Sequence, residues 1–158
     1  MLYTSKDVCR ILGIKPDQLS YYVRTKKLIK PAVIGKGRGS AHKFSLENLY
    51  QIALIQRLLK YGIELNFTKN IMNKTKTALP SLTIFDVYKE EKYKKGGLLF
   101  EIYNLRRTFI IFIVTREELI RNIKARFDPG NKKSSKDVLI IDVGDILREI
   151  EEKTGERF

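Results

Sequence analysis

One cysteine, Cys9, and one histidine, His42, are all that the 158 residues hold of the two residue types behind disulfides and most protein-bound zinc. A lone cysteine excludes an internal disulfide framework, and with a lone histidine it leaves too few ligands for a protein-only zinc site. HExxH is absent, as is a second histidine for a triad or a metal pair, so neither catalytic residues nor a metal nor a cofactor is expected. The longest strictly apolar run is Phe109 to Val114, far short of the roughly 20 residues a membrane-spanning helix needs. No membrane partner is expected. The opening Met1-Leu2-Tyr3-Thr4-Ser5-Lys6-Asp7 lacks the apolar stretch of a signal peptide, which makes a cytoplasmic location the expectation.

What is plentiful is charge of one sign. Lys and Arg number 31 against 18 Asp and Glu, a net charge of +13, in a chain whose 43% hydrophobic content is that of a folded protein. The excess is uneven. Residues 15–43 carry eight basic residues (Lys15, Arg24, Lys26, Lys27, Lys30, Lys36, Arg38, Lys43) against the single acid Asp17. A basic block inside a folded segment points to a polyanion, most often nucleic acid, with a solvated lysine-rich face as the plainer alternative.

The N-terminal pattern is helical in short pieces. Thr4 and Asp7 have the spacing of a capping box, and Val8, Ile11 and Leu12 follow on one face. Gly13 suits the left-handed position that ends a helix. Pro16 then occupies a first helical position, and Asp17 to Arg24 continue without a breaker. Two short helices joined by Gly13-Ile14-Lys15 have helix-turn-helix spacing, the second polar through Asp17, Gln18, Ser20, Tyr21 and Arg24 and apolar through Leu19 and Val23. Leu28 to Ile34 and His42 to Phe44 read as two short strands around the glycine-rich tip Gly35-Lys36-Gly37-Arg38-Gly39-Ser40, a wing whose cations would meet phosphates. The tip lacks the GxxxxGK[ST] spacing of a phosphate loop. Ser45 caps a third helix running to about Tyr61, with Gly62 as its stop. Its apolar residues lie on more than one side, so that Leu54, Ile55 and Leu58 are expected to be left over for a partner surface.

In order and spacing, residues 3–65 resemble the winged helix-turn-helix domain of the MerR family of transcriptional regulators. The resemblance rests on Tyr3-Thr4, Val8, Leu12-Gly13-Ile14, Leu19-Ser20-Tyr21-Tyr22, Leu28-Ile29-Lys30-Pro31, the Gly/Arg loop before Phe44-Ser45, Leu49, and Leu58 through Tyr61-Gly62-Ile63. It implies recognition residues on the second helix and the wing, which fall on Gln18, Ser20, Tyr21, Tyr22, Arg24, Lys36, Arg38 and Lys43. Lys15, Lys26, Lys27, Ser40 and His42 complete the expected DNA-contacting set. Two positions depart from the family: Ser20 stands where it usually has Arg, and Val23 where it often has an acid, so an operator preference does not transfer. Adjacent helix positions point about 100° apart, hence Tyr21 is expected to be exposed and Tyr22 in the core. Cys9 is read as packing rather than redox sensing, and His42 as a hydrogen-bonding or phosphate-contacting residue rather than a pH switch.

After a helical linker over 66–80, residues 81–158 read as a small α/β module. Leu82 to Val87 is expected as a strand and Tyr93 to Gly97 as a turn. Leu98 to Tyr103, Thr108 to Thr115 and Val138 to Val143 carry strand composition. Phe109 to Val114 has no polar face, which predicts a central strand covered on both sides. Thr115 to Glu118 is a capping box opening a helix that buries Leu119, Ile120, Ile123 and Phe127. Asp128 to Lys136 is a polar loop, and Gly144-Asp145 is read as the cap of a last helix burying Ile146, Leu147 and Ile150. Asp142 and Asp145 are taken as a strand residue and a cap rather than a metal pair. The whole is expected to be an α+β chain with three to four strands and two helices in its second half. The expected function is a dimeric, sequence-specific regulator binding double-stranded DNA, its module serving dimerisation, sensing of a small-molecule or protein effector, or protein binding. The alternative is an antitoxin-like or adaptor protein that holds a partner through its C-terminal half and represses its own gene.

Overall fold

The computed structural model describes residues 1–35, 41–78, 84–105, 108–126 and 138–157. It is an α+β chain in two compact units, Met1–Met72 with Ile146–Arg157, and Asn73–Asp145.

The first unit opens with β1 (Tyr3–Thr4), which runs directly into α1 (Ser5–Leu12). The expected capping box is present: the Asp7 backbone N–H donates to Thr4 Oγ1 at 3.2 Å, and the Thr4 N–H donates to Asp7 Oδ2 at 3.0 Å. The Thr4 hydroxyl also donates to Asp7 Oδ2 at 2.6 Å, and this bond first, then the one from the Thr4 N–H, holds the Asp7 carboxyl below its ordinary pKa. Gly13 ends α1 at φ +64°, a conformation a Cβ disfavours. Then comes α2 (Pro16–Ser20), with Pro16 in its first turn, widening at once into a single π turn over Tyr21–Thr25. α3 (Leu46–Lys60) is capped by Ser45, whose hydroxyl accepts from the Asn48 N–H at 3.3 Å.

Two expectations for this unit are corrected. Leu28 to Ile34 does not form a strand. Only Val33 pairs with Lys43, and β2 (Lys43–Phe44) instead lies antiparallel to β1, with Tyr3 opposite Phe44. Ile29 and Pro31 are drawn into the interior, so this stretch answers to core burial rather than to a ladder. Nor are apolar faces of α3 left over: Leu54, Ile55 and Leu58 are all fully buried. The core of the unit combines Val8, Ile11, Leu19, Tyr22 and Phe44 with Leu49 and Ile52. Ile146, Leu147 and Ile150 of α8 (Val143–Thr154) are buried as expected. The α8 residues from Ile146 onward count with this unit, and Glu149 meets Arg57 of α3 at 3.6 Å.

α4 (Leu65–Ala78) takes the helical place expected of 66–79, and its residues from Asn73 onward count with the second unit. There α5 (Ile84–Lys89) stands where a strand was expected. Ile84, Val87 and Tyr88 are buried at i, i+3 and i+4, a helical period that outweighs their strand propensity. α6 (Glu91–Gly96) replaces the expected turn, which shrinks to Gly97 at φ +78°. β3 (Leu99–Leu105), β4 (Thr108–Val114) and β5 (Val138–Asp142) form a wholly antiparallel sheet in the order β4-β3-β5. β4 is therefore an edge strand, not the centre, and Phe112 is 45% exposed. β4 pairs with β3 in unbroken register, and β5 takes the other side of β3.

α7 (Arg116–Arg126) opens with the expected capping box, the Thr115 N–H donating to Glu118 Oε2 at 2.8 Å. Leu119 and Ile123 of α7 pack with Leu99 and Val114, while Ile120, expected inside, is exposed. The Asn122 amide donates to the fully buried Glu101 at 3.1 Å, which places a satisfied polar pair between α7 and the sheet. The last helix also starts differently from expectation. Asp142 Oδ1 accepts from the Asp145 N–H at 2.8 Å, so Asp142 is the cap and Asp145 sits in the first turn. Asp142 further meets Arg116 at 3.3 Å, and among the described residues no group of three metal-ligating side chains occurs. The expected loop at 128–136 and the burial of Phe127 lie outside the described residues.

Candidate nucleic-acid interface

Four of the eight basic residues of the block lie on or beside α2 and its π turn: Arg24 within the turn, Lys15 just before α2, and Lys26 and Lys27 just after the turn. Lys15, Gln18, Ser20, Arg24, Lys26 and Lys27 are all exposed. The π turn closes with the Lys26 N–H donating to the Tyr21 carbonyl at 2.9 Å. Such a turn adds a residue to the helical repeat and re-aims the side chains after it. Lys27 ends it at φ +50°, an unusual conformation for a residue with a Cβ. That backbone reversal sends the chain inward to the buried Ile29 and keeps four cations, Lys15, Arg24, Lys26 and Lys27, within one short exposed segment.

The two tyrosines divide as adjacent helix positions must. Tyr21 is 40% exposed, with the Lys26 ammonium 5.5 Å from its ring centroid. Tyr22 is 2% exposed, and its hydroxyl takes a 2.7 Å hydrogen bond from Gln18 Nε2. Burial pushes the Tyr22 pKa up and the Gln18 bond opposes it. Gln18 is thus tied by its amide nitrogen to the Tyr22 hydroxyl one turn on.

The wing base is a clasp. Val33 and Lys43 exchange backbone hydrogen bonds at 3.0 and 2.9 Å, and the Gly35 N–H donates to His42 Nδ1 at 3.1 Å. His42 also meets the Phe44 ring edge-on at 6.5 Å. His42 thus serves as a hydrogen-bond acceptor at the wing base. Lys43 is half-buried. Lys36, Arg38 and Ser40 lie outside the described residues.

Between α1, α2 and the wing base is a cleft of about 350 Å³, bordered by Ser5, Lys6, Ser20, Arg24 and His42, with Leu19 and Phe44 on its apolar floor. Cys9 lines it too. Burial raises its thiol pKa, which favours the unreactive protonated form and agrees with a packing role.

Sequence reasoning passed over Asn48, the residue that positions the wing. Buried in the first turn of α3, its Oδ1 accepts from the Ala32 and Ser45 N–H groups, each at 3.1 Å, and its Nδ2 donates to the Lys30 carbonyl at 3.1 Å. The signal was the Ser45-x-x-Asn48 spacing, a capping box with the shorter Asn in place of the usual Glu or Gln. Nothing local says that the same amide also ties down the chain entering the wing.

α1, α2 and α3 beside a sheet of two two-residue strands, with the chain clasped between Val33 and Lys43, have a helix-turn-helix arrangement. Residues 3–75 match the family model described as the MerR HTH family regulatory protein. Over 64 residues the chain is 31% identical to uncharacterized HTH-type transcriptional regulators of Mycobacterium bovis and Mycobacterium tuberculosis, an alignment covering 40% of this chain and 28% of each relative. Residues 3–75 are thus similar to MerR-type helix-turn-helix regulatory proteins. The chain spans under a third of the length of these relatives. Among the described residues no helix is long and apolar enough to cross a membrane.

Proposed function

We propose that the protein is a sequence-specific transcriptional regulator that binds duplex DNA as a dimer, α2 entering a major groove and the wing meeting the flanking backbone. The observation that carries this reading is the exposed set Lys15, Arg24, Lys26 and Lys27 beside the fixed Gln18 amide, on a helix-turn-helix of the MerR class. Cations there, together with Lys36, Arg38 and Lys43, supply affinity without sequence information. Gln18, Ser20 and Tyr21 are the base-facing groups. The dimer reads two half-sites, the usual remedy for the weak binding of one small domain.

Titration of full-length protein onto a duplex at increasing salt tests the electrostatic part. Each neutralised phosphate adds about −0.9 to the log–log slope, so several engaged cations give a slope steeper than about −3. A flat slope overturns the reading. Lys36→Ala and Arg38→Ala should weaken binding to all sequences alike, whereas Gln18→Ala and Ser20→Ala should change which sequences are preferred. Competition against random duplexes separates the two effects, and a change of preference confined to the wing variants would reverse the assignment.

A further inference from the structure

We infer that the cleft between α1, α2 and the wing base is a binding site for a small amphipathic organic anion, an aromatic or branched apolar body bearing one carboxylate. The ligand site itself is independent of DNA; its effect on DNA binding rests on the regulator reading above.

Every residue that borders the cleft belongs to the first unit. Its volume of about 350 Å³ falls within the range of about 300–1,000 Å³ typical of small-molecule sites. Leu19 and Phe44 are buried from the rest of the solvent and form its floor, with the half-buried Val23 beside them. Val23 and Ser20 are short side chains, so space is left between α2 and the wing base where larger ones would fill it. A hydrocarbon body set on that floor exchanges water for apolar contact.

Charge selects the acid. Lys6 and Arg24 stand at the rim, both exposed, and neither forms an ion pair with a described residue. Among the described residues no carboxylate borders the cleft. A cationic ligand would meet two like charges there, and a neutral one would leave both unused. An inorganic anion would use the cations but not the floor. The occupant that uses both is an apolar body with one acidic group. Ser20 and Arg24 also belong to the proposed DNA-facing set. A ligand held in the cleft engages Arg24 and covers Ser20, so on the regulator reading ligand and duplex exclude each other, each weakening the other by the same factor.

The cleft carries its own reporter. Cys9 borders it and is the one thiol of the chain, so its rate of alkylation by N-ethylmaleimide at fixed pH reads occupancy without DNA. With 2-naphthoate as the probe, full-length protein should show saturable protection of Cys9 and one-to-one binding by calorimetry. 2-Naphthamide, the same body without the charge, should bind about fivefold more weakly, the scale of exposed ion pairs. Arg24→Gln should narrow that gap. Val23→Phe fills the space and should abolish the binding heat, and Ser20→Phe takes its place if that protein fails to fold by circular dichroism. Four results overturn the site: no protection by naphthoate, equal binding of acid and amide, protection by inorganic phosphate equal to that by naphthoate, or binding heat retained in the folded cleft-filling variant. Duplex binding is measured separately, and saturating naphthoate should weaken it at least about fivefold. Duplex affinity unchanged by bound naphthoate overturns the exclusion. A protein that binds naphthoate but no duplex sinks the regulator and leaves the ligand site standing.

Discussion

Asn48 joins two segments through one side chain: the start of α3, and the stretch that supplies the Lys30 carbonyl and the Ala32 N–H. Removing it leaves those backbone groups without partners, which costs more than the hydrogen bonds themselves contribute. Asn48→Ala should therefore lower unfolding stability by about 2–3 kcal/mol. Replacing the exposed Glu47 next to it by Ala should cost well under about 1 kcal/mol. Urea denaturation compares the two, and equal effects would remove the clamp role. A second residue gives a pH signature. Burial, then the Glu156 carboxylate, pushes the Tyr3 hydroxyl from its ordinary value of 10.0 up to about 12. The neutral phenol is the form the folded chain favours, so its contribution is complete below pH 10 and is lost as pH rises from 10 through 12. Thermal melts across that window should show a steeper decline for wild type than for Tyr3→Phe, and parallel declines would show that Tyr3 does not couple to folding.

Within elements, end chemistry governs. The π turn after α2 reverses at Lys27, whose positive φ costs about 1 kcal/mol in a residue bearing a Cβ. Lys27→Gly should recover part of that cost and raise the melting temperature, while removing one cation from the proposed DNA face. A stabilised variant with a shallower salt slope is the expected pair of results. A destabilised one would mean that the Lys27 side chain contributes more to the fold than its backbone conformation costs. β4 shows that element identity and element placement separate. Its composition names a strand correctly, yet composition made it a centre and topology made it an edge.

At the scale of the whole molecule, the chain returns to where it began. Ile146 to Arg157 counts with Met1–Met72, Ile146, Leu147 and Ile150 are buried, and Glu149 meets Arg57. A fragment ending near Leu79 would lose those three side chains from its core. It should melt well below the full chain or fail to fold, and Ile150→Ala in the full chain should cost about 2–4 kcal/mol. A fragment as stable as the full chain by circular dichroism would show that α8 is dispensable for the helix-turn-helix unit.

The sequence by itself determined the features whose causes are local. The Thr4/Asp7 and Thr115/Glu118 boxes, Gly13 as a left-handed stop, Pro16 opening α2, Ser45 capping α3 and the burial split between Tyr21 and Tyr22 each depend on residues within four positions of one another, so spacing alone reveals them. The exposure of Gln18, Ser20 and Arg24 was legible for the same reason, since a helical period fixes which side chains share a face. Only the tertiary structure decided the rest. Leu28 to Ile34 had strand composition but went to the interior; Ile84 to Tyr88 had strand propensity but a helical burial period; Asp142 rather than Asp145 caps α8; β4 fell to the edge; and α8 closed the first unit. The interior path of Leu28 to Ile34, the edge position of β4 and the place of α8 in the first unit turn on competition between distant partners for the same backbone bonds or the same apolar surface. That competition is settled by which segment arrives with matching geometry, a quantity no short window of sequence contains.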